Sequence, residues 1–424
     1  MLLHILKLIK TQRRSNTWVF IELLVVFVLL WYAVDRMMMN RITQAQPMEY
    51  SFENVYKVTL AVRPSSSASY IAYEKGSQEA GEDFMRIIRQ LEAHPDVQVV
   101  GMANGASMPY TYMSNSETYF QEKDSLFRNA FDFNVTPGYF RVFDIHTADG
   151  DSSDELAAAI QEGILISEPM AMECFGSTKV DGEELLILQD DTFRFRVKGV
   201  TRAVKREEFS QPPSIVFKEM KERSILRMGE QELGKIQICF RVRPNVAVES
   251  ASEYAVRFKK EMKYRLAAGN FWLANVQYYP DVRTNYLATS MNTGGQKLDV
   301  AINLFLLINV FLAVIGTFWF RVNRRRNELG IRMAVGSTRL RLQQLLIGEG
   351  LMILTITAVP ALLICVNVAF ADLLSTEVME VTFGRLLTVS LLTWGILAGI
   401  ITLAVWYPSH KAAHLEPAEA LHYE

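Results

Sequence analysis

Four apolar runs constrain this chain more than anything else in it: Trp18–Val34, Val300–Phe320, Leu345–Phe370 and Leu386–Tyr407. A helix rises about 1.5 Å per residue, so the last three cross a hydrocarbon core of about 30 Å with ease. The first is at the short end of the usual range. Runs of this length and apolarity satisfy their backbone in lipid only as helices. The expected fold class is therefore a polytopic α-helical membrane protein with four transmembrane helices and a large extracytoplasmic α+β domain.

Cation placement sets the expected topology. Lys7, Lys10, Arg13 and Arg14 precede the first run and hold the N-terminus in the cytosol. Residues 1–17 then form a cytoplasmic N-terminal helix and 18–40 the first span and stalk. Residues 41–296 lie outside, 297–320 return, and 321–344 form a cytoplasmic loop. Residues 345–370 and 386–407 complete the spans around a short outer loop, 371–385, leaving 408–424 as a cytoplasmic tail. The first run contains Glu22 and lacks a small-x-small cleavage pattern before Asp35-Arg36, which reads as an uncleaved anchor. Before it, Leu2, Leu3, Leu6 and Ile9 set against Lys7 and Lys10 suit either a helix lying along the bilayer surface or simple topogenic charge. Glu22 and Glu349 sit near cytoplasmic span ends and read as structural.

A formal net charge of −2 argues against a nucleic-acid partner. Of three cysteines, Cys365 lies in a span, while Cys174 and Cys239 lie in the exported segment, where sequence does not supply the geometry for pairing.

The exported segment carries a weak internal repeat. Tyr56, Val58, Leu60 and Val62 alternate and run into Arg63-Pro64; Ile236, Ile238, Phe240 and Val242 do the same into Arg243-Pro244. Period-two alternation marks half-buried strands. Each strand is followed by a helical pattern, Phe84, Ile87, Ile88, Leu91 in one and Ala255, Phe258, Met262, Leu266 in the other, then by a second strand near Val97–Val100 and Phe271–Tyr278. Two such units join in one sheet with helices on one face. They form a membrane-proximal split α/β part, 41–101 and 235–290, around a β-rich insertion, 102–234. Strands are expected there at Ile164–Ser167, Glu184–Leu188, Phe193–Val200 and Ser214–Phe217, with turns at Gly182 and Pro212-Pro213.

Between the second and third runs lies a loop dense in arginine, Arg321–Arg341. Its middle is apolar: Leu329, Ile331, Met333, Ala334 and Val335 suggest a short helix ending at Gly336. Such a helix exposed on a short membrane loop needs cover, which points to docking by a cytosolic partner. Within the spans, Asn303 and Asn309 suggest hydrogen bonds to neighbouring helices, Pro360 a kink, and Gly395 with Gly399 a small-xxx-small pair for helix packing within the chain or between subunits.

No Gly-x-x-x-x-Gly-Lys-Ser/Thr stretch, His-Glu-x-x-His or Gly-x-Ser-x-Gly occurs in the 424 residues. Neither catalysis nor a metal or cofactor site is expected in this chain.

Asn327-Glu328-Leu329-Gly330-Ile331-Arg332-Met333-Ala334-Val335-Gly336-Ser337 resembles the Glu-Ile-Gly-Ile-Arg-Arg-Ala-Leu-Gly-Ala signature of MacB/FtsX-like ABC transporter permeases, which include LolC and LolE. The tail from Pro408, with Pro417, Glu419, Ala420 and Leu421, resembles that family's ending. Val135-Thr-Pro-Gly-Tyr-Phe-Arg-Val-Phe-Asp-Ile145 and Ile164–Val200 resemble the MacB-type periplasmic core. The resemblance implies a permease subunit in the bacterial inner membrane, seated on a separate cytosolic ABC ATPase that binds the ATP and Mg. It implies a second permease subunit, identical or not, and in some members a periplasmic adaptor and an outer-membrane channel. Glu328, Leu329, Gly330, Ile331, Arg332, Met333 and Gly336 would form the ATPase-coupling helix, apolar side chains giving contact and Glu328 and Arg332 charge complementarity. The chain departs from the family at Met333 and His422, both usually arginine there. The implied activity is export or extraction of a hydrophobic substrate such as a drug, peptide or lipoprotein. The alternative is FtsX-like signalling to an extracytoplasmic cell-wall hydrolase.

Overall fold

The computed structural model describes residues 13–74, 76–121, 126–150, 152–187, 193–244, 246, 250–289, 291–324, 331–332, 335–371, 374 and 379–413. The chain divides into two compact units, one made of residues 1–45 and 295–424, the other of 46–294, where the sequence placed the borders at 41 and 296.

Among the described residues the first helix is α1 (Arg13–Ala45), of which Thr17–Ala45 is apolar enough to cross a bilayer. The first span is thus not short. Its helical hydrogen bonding continues past Val34 through the methionine-rich Met37-Met38-Met39, residues of good helix propensity that an apolar-run reading cuts off at Asp35.

In the 46–294 unit, β1 (Val55–Val62) leads to α2 (Glu79–Glu92) and β2 (Val97–Ala103). The insertion contributes β3 (Ser116–Phe120), β4 (Arg128–Val135), α3 (Gly138–Phe143), α4 (Ser153–Ala159), β5 (Ile164–Ser167), α5 (Glu168–Phe175), β6 (Glu184–Ile187), β7 (Phe193–Thr201), β8 (Ile215–Glu219), α6 (Glu222–Ile225) and α7 (Glu230–Leu233). The chain then returns through β9 (Gln237–Val242), α8 (Ala251–Met262), β10 (Ala267–Ala268), β11 (Phe271–Tyr278) and α9 (Tyr279–Thr289).

The two strand–helix–strand units do join. Their strands lie in the order β11-β1-β9-β2, each pair antiparallel. One face is covered by α2 and α8. Phe84, Ile87, Ile88 and Leu91, spaced i, i+3, i+4 and i+7, are at most 1% exposed, and Phe258 and Met262 of α8 meet the same core. Full burial of such side chains contributes roughly 1.5–3 kcal/mol each. The opposite face packs on α3 through Tyr139, Phe140, Val142 and Phe143, joined by Cys239 and Tyr279.

The insertion is more regular than the sequence suggests. Its strands run β4-β3-β6-β7-β5-β8, and β8 then pairs in parallel with β4, so six strands close on themselves. Closure removes the exposed edges that six short strands would otherwise present. The ring is joined to the open sheet at Ala103↔Val135. Two of its strands, β3 and β4, escape the sequence reading because Arg128-Asn129 and Asp132 interrupt the apolar alternation. Asp132 accepts from Lys218 Nζ at 2.9 Å, from Tyr119 Oη at 3.1 Å and from Asn134 Nδ2 at 3.1 Å, which is what makes a carboxylate tolerable there. Cys174 and Cys239 are both buried, in different cores, and are not disulfide-bonded to each other; Cys365 is buried among the spans.

The stretch Val135–Ile145 has a steric reason for its composition. At Gly138 a Cβ would fall 2.0 Å from the Val100 carbonyl oxygen, and at Gly101 one would fall 2.8 Å from Tyr139 Cα. Strand β2 and helix α3 cross backbone to backbone. Asp144 takes the left-handed conformation (φ 52°) that ends α3.

Among the described residues the membrane unit also contains the long helices α10 (Met291–Arg324), α11 (Arg339–Phe370) and α12 (Phe383–Ala413). They contain the apolar spans Val300–Phe320, Leu340–Phe370 and Phe383–Trp406. Phe27 and Trp31 of α1, Val314 and Phe318 of α10, Leu354 and Ala361 of α11, and Val389, Leu397 and Ile401 of α12 share one apolar core. Within the described chain, Gly395 and Gly399 make no close helix contact. A Cβ at either would meet nothing within 4 Å, whereas one at Gly350 would lie 2.7 Å from Ile401 Cγ2. Asn309 donates to the Phe305 carbonyl of its own helix at 2.7 Å, not to a neighbour, because the i−4 carbonyl is the nearest acceptor. Pro360 is inside the continuous α11.

Candidate coupling site

Between α10 and α11, Ile331 and Arg332 are helical, and the turn ends at Gly336 with φ 97°. Val335 N–H donates to the Ile331 carbonyl at 3.1 Å and Ser337 N–H to the Arg332 carbonyl at 3.0 Å. The second bond spans five residues across a left-handed glycine, the Schellman form of helix end. Two residues on, the Thr338 side chain accepts from Arg341 N–H at 3.4 Å and caps α11. Two helices therefore meet at a corner that only Gly336 makes without strain.

This corner presents apolar side chains. Ile331 is 55% exposed, Val335 84% and Leu340 64%. Glu328, Leu329, Gly330 and Met333 lie outside the described residues, as do Pro417, Glu419, Ala420 and Leu421 of the tail. Leu340 belongs to the exposed set although the sequence reading assigned it no role. Its position after a Ser-Thr cap, out of phase with the buried Leu342 and Leu346, was the available signal.

The buried polar contacts of the membrane unit fix the helices flanking this loop. Thr317 of α10 donates its hydroxyl to the Glu22 carboxylate, 2.8 and 3.0 Å from its two oxygens, about two turns before Arg324. Glu22 is thus held by a named partner, in keeping with its structural reading. Glu349 is 2% exposed. At the other end of the bundle Arg385, which the sequence reading uses only to weigh loop charge, donates from Nε and Nη2 to the two oxygens of Asp35.

Among the described residues no group of His, Cys, Asp and Glu is arranged to hold a metal ion. The polar geometry of the loop and spans suits helix positioning and docking.

The MacB-like periplasmic core domain family matches residues 25–257, more than half of the 424-residue chain, and the FtsX-like permease C-terminal family matches 300–417. This chain belongs to the MacB/FtsX-like ABC transporter permeases. The permease is 24% identical over 336 residues to a probable export ATP-binding/permease protein of Pseudomonas fluorescens, covering 77% of this chain and 49% of that protein. Over 130 residues it is 30% identical to the macrolide export ATP-binding/permease protein MacB of Campylobacter jejuni, covering 30% and 20% respectively. The permease thus spans about half or less of the curated relatives it matches. Among solved structures, the periplasmic region of MacB from Actinobacillus actinomycetemcomitans aligns at TM-score 0.33 and 12% identity, covering 58% of this chain and 99% of that one. A permease domain from Porphyromonas gingivalis aligns at TM-score 0.33 and 16% identity, covering 54% and 94%. The Val135–Ile145 crossing falls inside the periplasmic-core match and the Gly336 corner inside the FtsX-like match. The permease is a multi-pass membrane protein with a periplasmic-type domain between its first two spans.

Proposed function

We propose that this permease couples ATP hydrolysis by a separate cytosolic ABC ATPase to conformational work on the far side of the inner membrane, and that the work is export or extraction of a hydrophobic substrate. ATP and Mg belong to the partner, and the N- and C-termini and the Gly336 corner face the cytosol. The observation that carries this reading is the corner itself: an apolar turn, exposed at Ile331 and Val335, placed between two spans by a glycine stop and a threonine cap. Exposed apolar side chains on a short helix are the signature of helix-in-groove docking. By the family signature in the sequence, Leu329 and Met333 would add apolar contact and Glu328 and Arg332 charge complementarity. Names of the relatives, which join an ATP-binding part to a permease part, support the same reading. Gly395 and Gly399, open within the chain, suit contact with a second permease subunit.

The test is co-purification in detergent with a separately expressed cytosolic ABC ATPase from the same organism. Ile331→Asp or Leu329→Asp should release the ATPase while leaving the permease folded. Retention of the ATPase by both variants would rule out docking at this loop. Signalling to a cell-wall hydrolase is the other outcome: a periplasmic hydrolase, in place of a transported compound, would then respond to ATP.

A further inference from the structure

Helix α9 leaves the open sheet from β11 and precedes span α10 by a single residue. Its long-range hydrogen bonds nevertheless run to the insertion. Arg283 Nε donates to Glu208 Oε1, which also accepts from Tyr110 Oη at 2.9 Å. Tyr286 shares a hydrogen bond with Glu207. Tyr112 packs tilted against Tyr286 with ring centroids 4.7 Å apart and hydrogen-bonds Thr289 Oγ1 at 2.6 Å. At the root of the helix, Tyr279 Oη donates to the Pro109 carbonyl at 2.9 Å. These partners come from two loops, one before β3 and one between β7 and β8, so both feed strands of the closed ring.

The second loop is the run Lys205-Arg206-Glu207-Glu208, in which Lys205 and Glu207 are buried and Arg206 and Glu208 half-buried. Lys205 is 0% exposed and Glu207 4%, and Lys205 Nζ donates to the Glu208 carbonyl at 2.8 Å. Burying charge in this way gains little net stability over an apolar packing, but it fixes geometry, since every ion must meet its partner. Burial and the hydrogen bond with Glu207 push the Tyr286 hydroxyl upward, and the bond with Glu208 raises the Arg283 guanidinium. Tyrosine therefore stays a neutral donor and arginine a cation at any working pH.

We propose that Glu207 and Glu208 are positioning residues that tie the helix before the second span to the six-stranded ring, so that displacement of α9 is delivered to the ring and moves it against the sheet. This rests on the ATP-coupled reading above.

Spin labels on the full chain in lipid nanodiscs test it. Asn285 on α9, Met172 on α5 beside the ring, and Lys260 on α8 over the sheet are all exposed. Without any ATPase, Glu208→Gln with Arg283→Gln should broaden the 285–172 distance distribution and leave 172–260 unchanged. The charge swap Glu208→Arg with Arg283→Glu should narrow it again. An unchanged 285–172 width, or equal broadening of both pairs, overturns the tie. With the ATPase bound, adding ATP and Mg should shift 172–260 in the parent chain and not in the double glutamine variant. A shift that survives in the variant overturns this inference alone. No shift in the parent overturns the coupling reading, whatever the label widths show.

Discussion

Arg385 lies side-on to Asp35, its Nε 2.8 Å from one carboxylate oxygen and its Nη2 2.7 Å from the other, with the arginine side chain 0% and the aspartate 4% exposed. The two-point geometry joins the second half of α1 to the start of α12. Removing either partner strands a buried charge, which costs about 3–5 kcal/mol, whereas an apolar pair of similar volume is far less harmful. Asp35→Ala should therefore lower the thermal midpoint in detergent more than Asp35→Leu with Arg385→Met. Equal loss in the single and double variants would count against the pairing.

Gly138 is expected to tolerate no side chain. A Cβ 2.0 Å from the Val100 carbonyl would force β2 and α3 apart, at about 1–3 kcal/mol or more for a displacement in a packed core. Gly138→Ala should raise amide exchange along β2 and around the Ala103↔Val135 junction. A variant as protected as the parent would show that the crossing can relax.

Alkali should unfold the 46–294 unit. Burial pushes Tyr50, whose hydroxyl shares a 3.2 Å hydrogen bond with Tyr139, and Tyr56 up to about 12, and holds Tyr139 and Tyr279 well above the usual phenol range. A phenol with a folded value above its unfolded value of about 10 contributes stability that is complete below pH 10. It is lost as pH rises from there toward about 12, on the order of 2–3 kcal/mol for Tyr50. Phenolate absorbance and near-ultraviolet dichroism of the full chain should change together in that window. Smooth ionisation near 10 with the dichroism intact would contradict the burial.

Within the ring, Lys218 pairs with Asp132 and also lies 5.6 and 5.1 Å from the ring centroids of Tyr119 and Phe195. Asp132→Ala leaves that ammonium without its carboxylate and should destabilise the domain by roughly 2–4 kcal/mol. Adding Lys218→Met should recover much of the loss, as read by urea-induced unfolding of the full chain. Strictly additive losses would mean that the two side chains act independently.

The spans, the split α/β sheet and the glycine-ended apolar turn were legible because each rests on local periodicity. Runs of about twenty apolar residues admit one solution in lipid, Phe84–Leu91 repeats at helical spacing, and Gly336 follows the last apolar residue of a turn. The closure of six strands, the Arg385–Asp35 join across 350 residues and the clasp of α9 by Glu207 and Glu208 were not legible. Each depends on polar residues that look like surface or loop until a distant partner is brought beside them. Sequence alone determined which four segments are apolar and long enough to cross a membrane, since the hydropathy of each segment is a local matter. Only the tertiary structure decided which charges are buried together, because an ion's cost inside a protein is set by the neighbour that folding supplies.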